Sequence, residues 1–383
     1  MKKLFIYVVA ALATFFCIRW LTDSPATESL PIGQQVGPAK LYQNAKSPQT
    51  PTNIILLIGD GMGPNHTALG RFVLGGPDFN MAVDRMPISG TATNHSFDDL
   101  YTDSAASATA WATGTKTKNR YVGVDPEGKL LINISEILNP KGIRLGIVAT
   151  SSLTHATPAA HYAHVQSRYE EKEIARQLIH SNINIALGGG TKFFQALEGD
   201  SQAISFIENL NQLDDVVMNQ DRVIGLFAEK GIERGQGPSQ LQMTKAAIKY
   251  LQNSSNSCNG FFLMSEGSQI DWASHDNKVH DMLVELEDFN ASVNFVLDLA
   301  KQSGDTLVIV SSDHETGGLN LIKQNESEIE ISWTNGKHTL TPISVYAYGP
   351  GAELFQGKID QTDIFVNIIN LFNQNLANQC LQR

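Results

Sequence analysis

Basic residues are scarce in this chain. Lys and Arg number 28 against 39 Asp and Glu, leaving a net charge of −11, and no basic stripe occurs anywhere in the 383 residues. That absence excludes nucleic acid as a specific partner. It does not exclude an anionic substrate, because bound metal cations reset the local field. Cysteines number only three. Cys17 falls in an N-terminal apolar run, and Phe15-Phe16 before it are not the small residues of a lipid-attachment site. Cys258 and Cys380 are far apart in sequence, so a disulfide between them and two free thiols both stay open.

Long apolar runs are missing apart from residues 4–18, which come directly after Met1-Lys2-Lys3. The run is too short for a comfortable membrane span. It has the positive start and apolar centre of an export signal. No small-x-small cleavage site comes after it, since Arg19-Trp20-Leu21 interrupts, so residues 1–21 read as a signal peptide or a retained N-terminal membrane anchor. Either way the folded part is expected outside the cytoplasm, in the periplasm or beyond the cell. Internal repeats and low-complexity blocks are also absent from the folded region. With 42% hydrophobic and 17% charged residues, the chain has the composition of a soluble globular protein.

Residues 22–52 are polar and carry five prolines, the composition of a linker or loosely packed arm. From Asn53 onward short apolar runs alternate with helical patterns. The runs cover residues 54–58, 145–149, 183–187, 261–264, 306–310 and 343–347, with helical patterns over 170–180, 239–252 and 278–302. This alternation predicts an α/β fold, a single large domain with a mostly parallel central sheet and helices on both faces. Runs apolar on consecutive residues suit strands covered on both sides.

The residues just past those runs carry the chemistry. Gly59-Asp60-Gly61 stands after the first, and His155 and Thr157 after the second. Glu266 stands after the fourth, with Asp271 and His275 close behind, and Asp313-His314 after the fifth. In an open α/β sheet ligands bind beyond the carboxyl ends of the strands, where these metal-type residues fall. On a helix Asp271 and His275, at i and i+4, share a face and can grip one ion. Asp313 and His314 are neighbours and can serve one ion only if the chain turns, which Glu315-Thr316-Gly317-Gly318 allows. His338 sits in a loop and alone signifies little.

Residues 102–114 read as a helix with an abrupt start. Thr102 or Asp103 can cap it, alanine fills its body and Gly114 stops it. Ser104 then falls in the first turn, where free backbone N–H groups and the positive dipole end favour an anion, phosphate above all.

Seven motifs stand in the order found in alkaline phosphatases: Gly59-Asp60-Gly61-Met62-Gly63, Thr102-Asp103-Ser104-Ala105-Ala106-Ser107, His155-Ala156-Thr157-Pro158, Ala163-His164-Val165-Gln166-Ser167-Arg168, Glu266-Gly267-Ser268-Gln269-Ile270-Asp271, Asp313-His314-Glu315-Thr316-Gly317-Gly318 and His338-Thr339. On these the chain resembles that family from Asn53 to about Phe372, and residues 53–383 are expected to be its catalytic domain. The resemblance implies hydrolysis of small-molecule phosphate monoesters through a phosphoserine on Ser104, with two zinc ions and one magnesium. One zinc would be held by Asp271, His275 and His338. The other would be held by Asp60, Asp313, His314 and Ser104. Magnesium would take Asp60, Glu266 and Thr157, with His155 beside it. Arg168 would fork onto two phosphate oxygens, steadied by Asp103. Three divalent cations outweigh the four carboxylates, and the surplus suits a dianionic monoester better than a diester.

Two positions depart from the pattern of some members, which carry Asp where His155 stands and Lys where Trp272 stands. The first implies a looser magnesium site, the second weaker retention of phosphate. The short segment between His314 and His338 implies a compact form, without the long insertions of relatives that add domains at the dimer interface; a homodimer stays open. Sulfatases are disfavoured because Ser104-Ala105-Ala106 lacks a Ser/Cys-x-Pro-x-Arg setting. Diesterases of the superfamily usually carry Thr as nucleophile, and a glycolytic phosphomutase would not be exported. A binding protein without turnover would not need the nucleophile and Arg168 together.

Overall fold

The computed structural model describes residues 27–34, 50–195, 197, 204–215, 222–254, 259–325 and 327–379. The N-terminal apolar run, Cys258 and Cys380 lie outside them, and so do the export, anchor and disulfide expectations. Among the described residues no helix is long and apolar enough to cross a membrane.

The strands in chain order are β1 (Thr27–Pro31), β2 (Asn53–Gly59), β3 (Ile88–Thr93), β4 (Arg144–Ser152), β5 (Ile185–Gly189), β6 (Ile204–Ile207), β7 (Arg222–Leu226), β8 (Phe261–Gly267), β9 (Thr306–Ser311), β10 (Leu319–Gln324), β11 (Glu328–Trp333), β12 (Ile343–Tyr348) and β13 (Gly357–Asp360). Among the described residues the helices of seven or more residues are α1 (Pro64–Gly75), α2 (Ser104–Thr113), α3 (Glu171–His180), α4 (Gln240–Ser254), α5 (Gln269–His275), α6 (Val279–Ser303) and α7 (Gln361–Gln379). Ten strands form one sheet in the order β13-β3-β12-β9-β2-β8-β4-β5-β7-β6.

The apolar runs are central strands for the reason their composition gave. Along β2, Ile54, Leu56 and Ile58 enter one hydrophobic cluster while Ile55 and Leu57 enter the other. Both faces are therefore dry, and alternation gives way to continuous hydrophobicity. Helices cover each face, α4 and α6 on one side and α2 and α7 on the other. The three helical patterns correspond to α3, α4 and α6, with ends displaced by one or two residues.

The sheet differs from an all-parallel one at β12, which runs antiparallel to β3 and β9. Among the described residues no helix of seven or more residues lies between β9 and β12 to carry the chain back, and a parallel crossover needs about a dozen residues or more, usually helical. The chain instead stays at the carboxyl edge of β9 and re-enters the sheet from there. The turn residues 312–318 after β9 and residues 334–342 before β12 thus lie at that edge, with His338 bridged to Thr316.

Part of the stretch read as linker is ordered structure. Thr27–Pro31 pairs antiparallel with β11, completing a three-stranded sheet β1-β11-β10. Only Leu30 of the five residues is buried, so no alternation marks the strand in sequence. Strands β3, β6 and β13 are equally unmarked, being short and only partly buried. Strand β7 is buried over Val223–Leu226, but its apolar run is only Val223-Ile224 before Gly225 interrupts it.

Candidate active site

Strands β9, β2, β8 and β4 are neighbours in that order and end at one edge. Asp60 comes directly after β2, Glu266 lies near the end of β8, and Asp313-His314 come just after β9. His155 and Thr157 lie just past β4, at the short helical turn Ala156–Ala159. Register makes this a single layer, since Glu266 stands opposite both Ile58 and Ala149, and Ile58 opposite Ser311. Gly61, at φ 72, lets the chain turn immediately after Asp60; a Cβ there would come within 2.9 Å of the Asp271 backbone.

The acidic and imidazole side chains form three groups whose ligand atoms lie within 4.8 Å of one another: Asp271, His275 and His338; Asp60, Asp313 and His314; Asp60, His155 and Glu266. In the first, α5 places Asp271 and His275 one turn apart. His275 Nδ1 lies 2.9 Å from the Gly336 carbonyl and His338 Nδ1 2.8 Å from the Thr102 carbonyl. A carbonyl only accepts, so each Nδ1 carries its proton and each Nε2 presents a lone pair when the ring is neutral. Burial, reinforced by neighbouring His314, pushes His338 down to about 4. The two Nε2 atoms nevertheless face each other at 3.1 Å, with Asp271 Oδ1 at 3.4 and 3.8 Å from them. Bare lone pairs so placed repel, and a cation between them satisfies both.

The second group is wholly buried. Asp313 Oδ1 accepts from the Gly61 and His314 backbone N–H groups, each at 3.0 Å, which forms the turn that brings neighbouring residues to one point. His314 Nε2 lies 3.0 Å from Asp313 Oδ2 and 3.6 Å from Asp60 Oδ1. Thr316 ties the two groups together, donating to Asp271 Oδ1 at 2.5 Å and lying 3.2 Å from His314 Nδ1. In the sequence Thr316 reads only as part of a turn.

In the third group both Asp60 oxygens, Glu266 Oε1 and Thr157 Oγ1 are buried without a hydrogen-bond partner. Burial first, then the charges of Asp313, Asp271 and Glu266, holds Asp60 well above the ordinary carboxylate range. Burial likewise raises Glu266 to about 7. Buried carboxylates without compensating partners are costly, and divalent cations supply the compensation. The donor sets fit such ions.

Helix α2 begins where the sequence predicts. The Asp103 side chain accepts from Ala106 N at 2.9 Å, and Gly114 closes the helix at φ 70. All ten residues are buried, so the helix shows no amphipathic stripe. Ser104 Oγ lies 3.2 Å from His314 Nε2. Arg168 donates to Asp103 Oδ2 at 3.1 Å and to His155 Nε2 at 3.0 Å. The acceptor role at Nε2 leaves the His155 proton on Nδ1, and burial beside Arg168 holds this ring to about 3, so it stays neutral. Trp272 sets the edge of its ring against His155, centroids 5.8 Å apart. The acidic, imidazole, hydroxyl and guanidinium residues named for the site in the sequence are thus gathered at one edge of the sheet.

A model of the alkaline phosphatase family matches residues 51–327 and 319–374. The chain belongs to the alkaline phosphatase family. It is 31% identical to alkaline phosphatase 3 of Bacillus subtilis over 420 aligned positions, which cover 85% of this chain and 89% of that protein. It is 32% identical to the alkaline phosphatase of Escherichia coli, covering 82% and 84% of the two chains. Among solved structures, the alkaline phosphatase of the Antarctic bacterium TAB5 superposes with a TM-score of 0.77 at 34% identity, over 85% of this chain and 98% of that one. The protein is therefore a metal-dependent phosphomonoesterase of the hydrolase class. Its alkaline-phosphatase-like fold is a single α/β domain on a mostly parallel mixed sheet.

Proposed function

We propose that this phosphatase works outside the cytoplasm and transfers the phosphoryl group of a monoester to Ser104 before water releases it. The observation that carries the reading is Ser104 Oγ at 3.2 Å from His314, at the mouth of a buried set of unpartnered ligand atoms. Two imidazole–carboxylate sets, Asp271/His275/His338 and Asp60/Asp313/His314, suit zinc. The harder set Asp60, Glu266 and Thr157, with His155 beside it, suits magnesium. A variant of the TAB5 enzyme has been described with Mg bound in its M3 site. When bound, such cations acidify a hydroxyl and neutralise charge on the attacking and leaving oxygens.

The chain's own groups do the rest. Ser104 Oγ loses its proton to solvent and forms the new bond to phosphorus while the ester oxygen leaves in line with its electron pair and takes up a proton from water. Arg168, fixed by Asp103, holds two of the remaining oxygens in a fork. The start of α2 adds backbone N–H groups and a positive dipole end. Water then attacks the phosphoserine, freeing inorganic phosphate and restoring the hydroxyl. Acid-quenched enzyme turning over a phosphate monoester should carry one phosphate on Ser104 by mass spectrometry, with two zinc and one magnesium per chain by metal analysis. Phosphate on another residue, or on none, would defeat the proposal.

Trp272 offers an apolar edge where a cation would help hold product. Trp272→Lys is expected to lower the inhibition constant for inorganic phosphate several-fold in steady-state assays. An unchanged constant would mean that Trp272 has no bearing on product release.

A further inference from the structure

The mouth of the site holds two cations that the chemistry at Ser104 leaves unused. A cavity of about 670 Å³ has Arg168 and His338 in its floor and Arg120, Tyr169 and Lys337 on its rim. Arg168, held by Asp103 and His155, is the group assigned to the transferred phosphate. The Arg120 guanidinium and the Lys337 ammonium have no carboxylate partner among the described residues. Arg120 lies over the exposed Tyr169 ring, 6.0 Å from its centroid.

The backbone at Arg120 adds a second observation. Its φ is 74, a left-handed conformation that disfavours any residue with a Cβ. Hydrogen bonds hold it there on both sides. Its N–H donates to Asp103 Oδ2 at 3.0 Å, and its carbonyl accepts from Arg168 N at 2.8 Å. Asn119 Oδ1 accepts from Asp103 N at 2.8 Å, locking the neighbouring residue to the same strap. Glycine would take this turn without strain, so the turn itself does not call for arginine. Strain kept at a binding site points to use of the side chain.

We propose that Arg120 and Lys337 form an accessory anion site for a second phosphate on the leaving group, favouring substrates of the nucleoside diphosphate class over monoesters with an uncharged leaving group. This rests on the reading of Ser104 as the group that accepts phosphate. Arg120 is bonded through its backbone to both Asp103 and Arg168, and its side chain lines the same cavity as the clamp on the transferred phosphate. A phosphate one bridging oxygen away falls toward the rim. In the reaction Ser104 Oγ bonds to the terminal phosphorus, its proton passes to solvent, and the P–O–P bond breaks. The electron pair leaves on the bridging oxygen of the nucleoside monophosphate, whose negative charge the two cations meet. Water then cleaves the phosphoserine as for any monoester.

The test uses the full chain loaded with zinc and magnesium and compares kcat/KM for adenosine diphosphate and phenyl phosphate. Arg120→Gly suits the positive φ, so it deletes the guanidinium without straining the turn; Lys337→Gln removes the other charge. The ratio of diphosphate to phenyl phosphate is expected to fall about tenfold in each variant and further in the double variant, the scale of lost charge-assisted hydrogen bonds. The preference of the unaltered protein should also shrink as ionic strength rises, since both cations are exposed. A ratio that moves less than twofold in the double variant, or an equal fall for both substrates, overturns the accessory site alone. Failure of the unaltered enzyme to turn over either substrate overturns the reading of Ser104 and this inference together.

Discussion

Replacing Ser104 with alanine is expected to lower kcat for an aryl phosphate monoester by at least about a thousandfold, with the fold intact. The substitution removes one oxygen from the first turn of a buried helix and leaves its cap untouched, because Asp103 accepts from Ala106 and not from Ser104. Alanine is also the best helix former, so α2 should not loosen. The carboxylate and imidazole members of the three groups lie on other elements and should still take up metal. Steady-state kinetics with metal analysis on the same sample checks this. Loss of turnover with full metal content supports Ser104 as the phosphate acceptor. Activity retained within tenfold would mean that water attacks the monoester directly.

Removal of divalent ions should be as severe and should also alter stability. Dialysis against a chelator is expected to cut activity by about a thousandfold or more, given that Lewis-acid stabilisation is worth several kcal/mol. Zinc and magnesium together should restore it. In the ion-free protein Asp60 and Glu266 are buried with their pKa values raised, Glu266 to about 7. A carboxyl whose folded pKa lies above its unfolded one holds its proton in the fold after the unfolded chain has lost it. Its contribution to stability is complete below the unfolded value and declines as pH rises toward the folded value. The Tm of the chelated protein should therefore fall as pH rises from about 4.5 through about 7. Reloading with metal should abolish the slope, because cations favour the ionised carboxylates. A chelated protein with full activity, or with a flat Tm across that window, would contradict the metal assignment.

Much of the site is legible in the sequence because its residues sit at strand ends. Asp60, Glu266 and Asp313 each stand after an unbroken apolar run, and such runs end at the edge where α/β sheets bind ligands. The Asp271–His275 spacing needs only one turn of helix, and the Asp103–Gly114 interval contains its own cap and stop. His338 has no such local signal. Its place depends on β12 entering the sheet in reverse, and nothing in residues 343–347 distinguishes a reversed strand from a parallel one. Thr316 and Arg120 escape sequence reading for a related reason. Their roles lie in hydrogen bonds to Asp271, Asp103 and Arg168, residues many positions away.

The sequence by itself determined which six central segments are dry on both faces and which acidic, imidazole and hydroxyl groups stand just past them. Those are consequences of local composition, since continuous apolarity and helix caps act over a few residues. Tertiary structure alone decided strand order, the direction of β12, the pairing of Leu30's strand with β11, and the partition of the ligands into three groups. These depend on long-range pairing and burial, whose energies arise only when distant segments share one core.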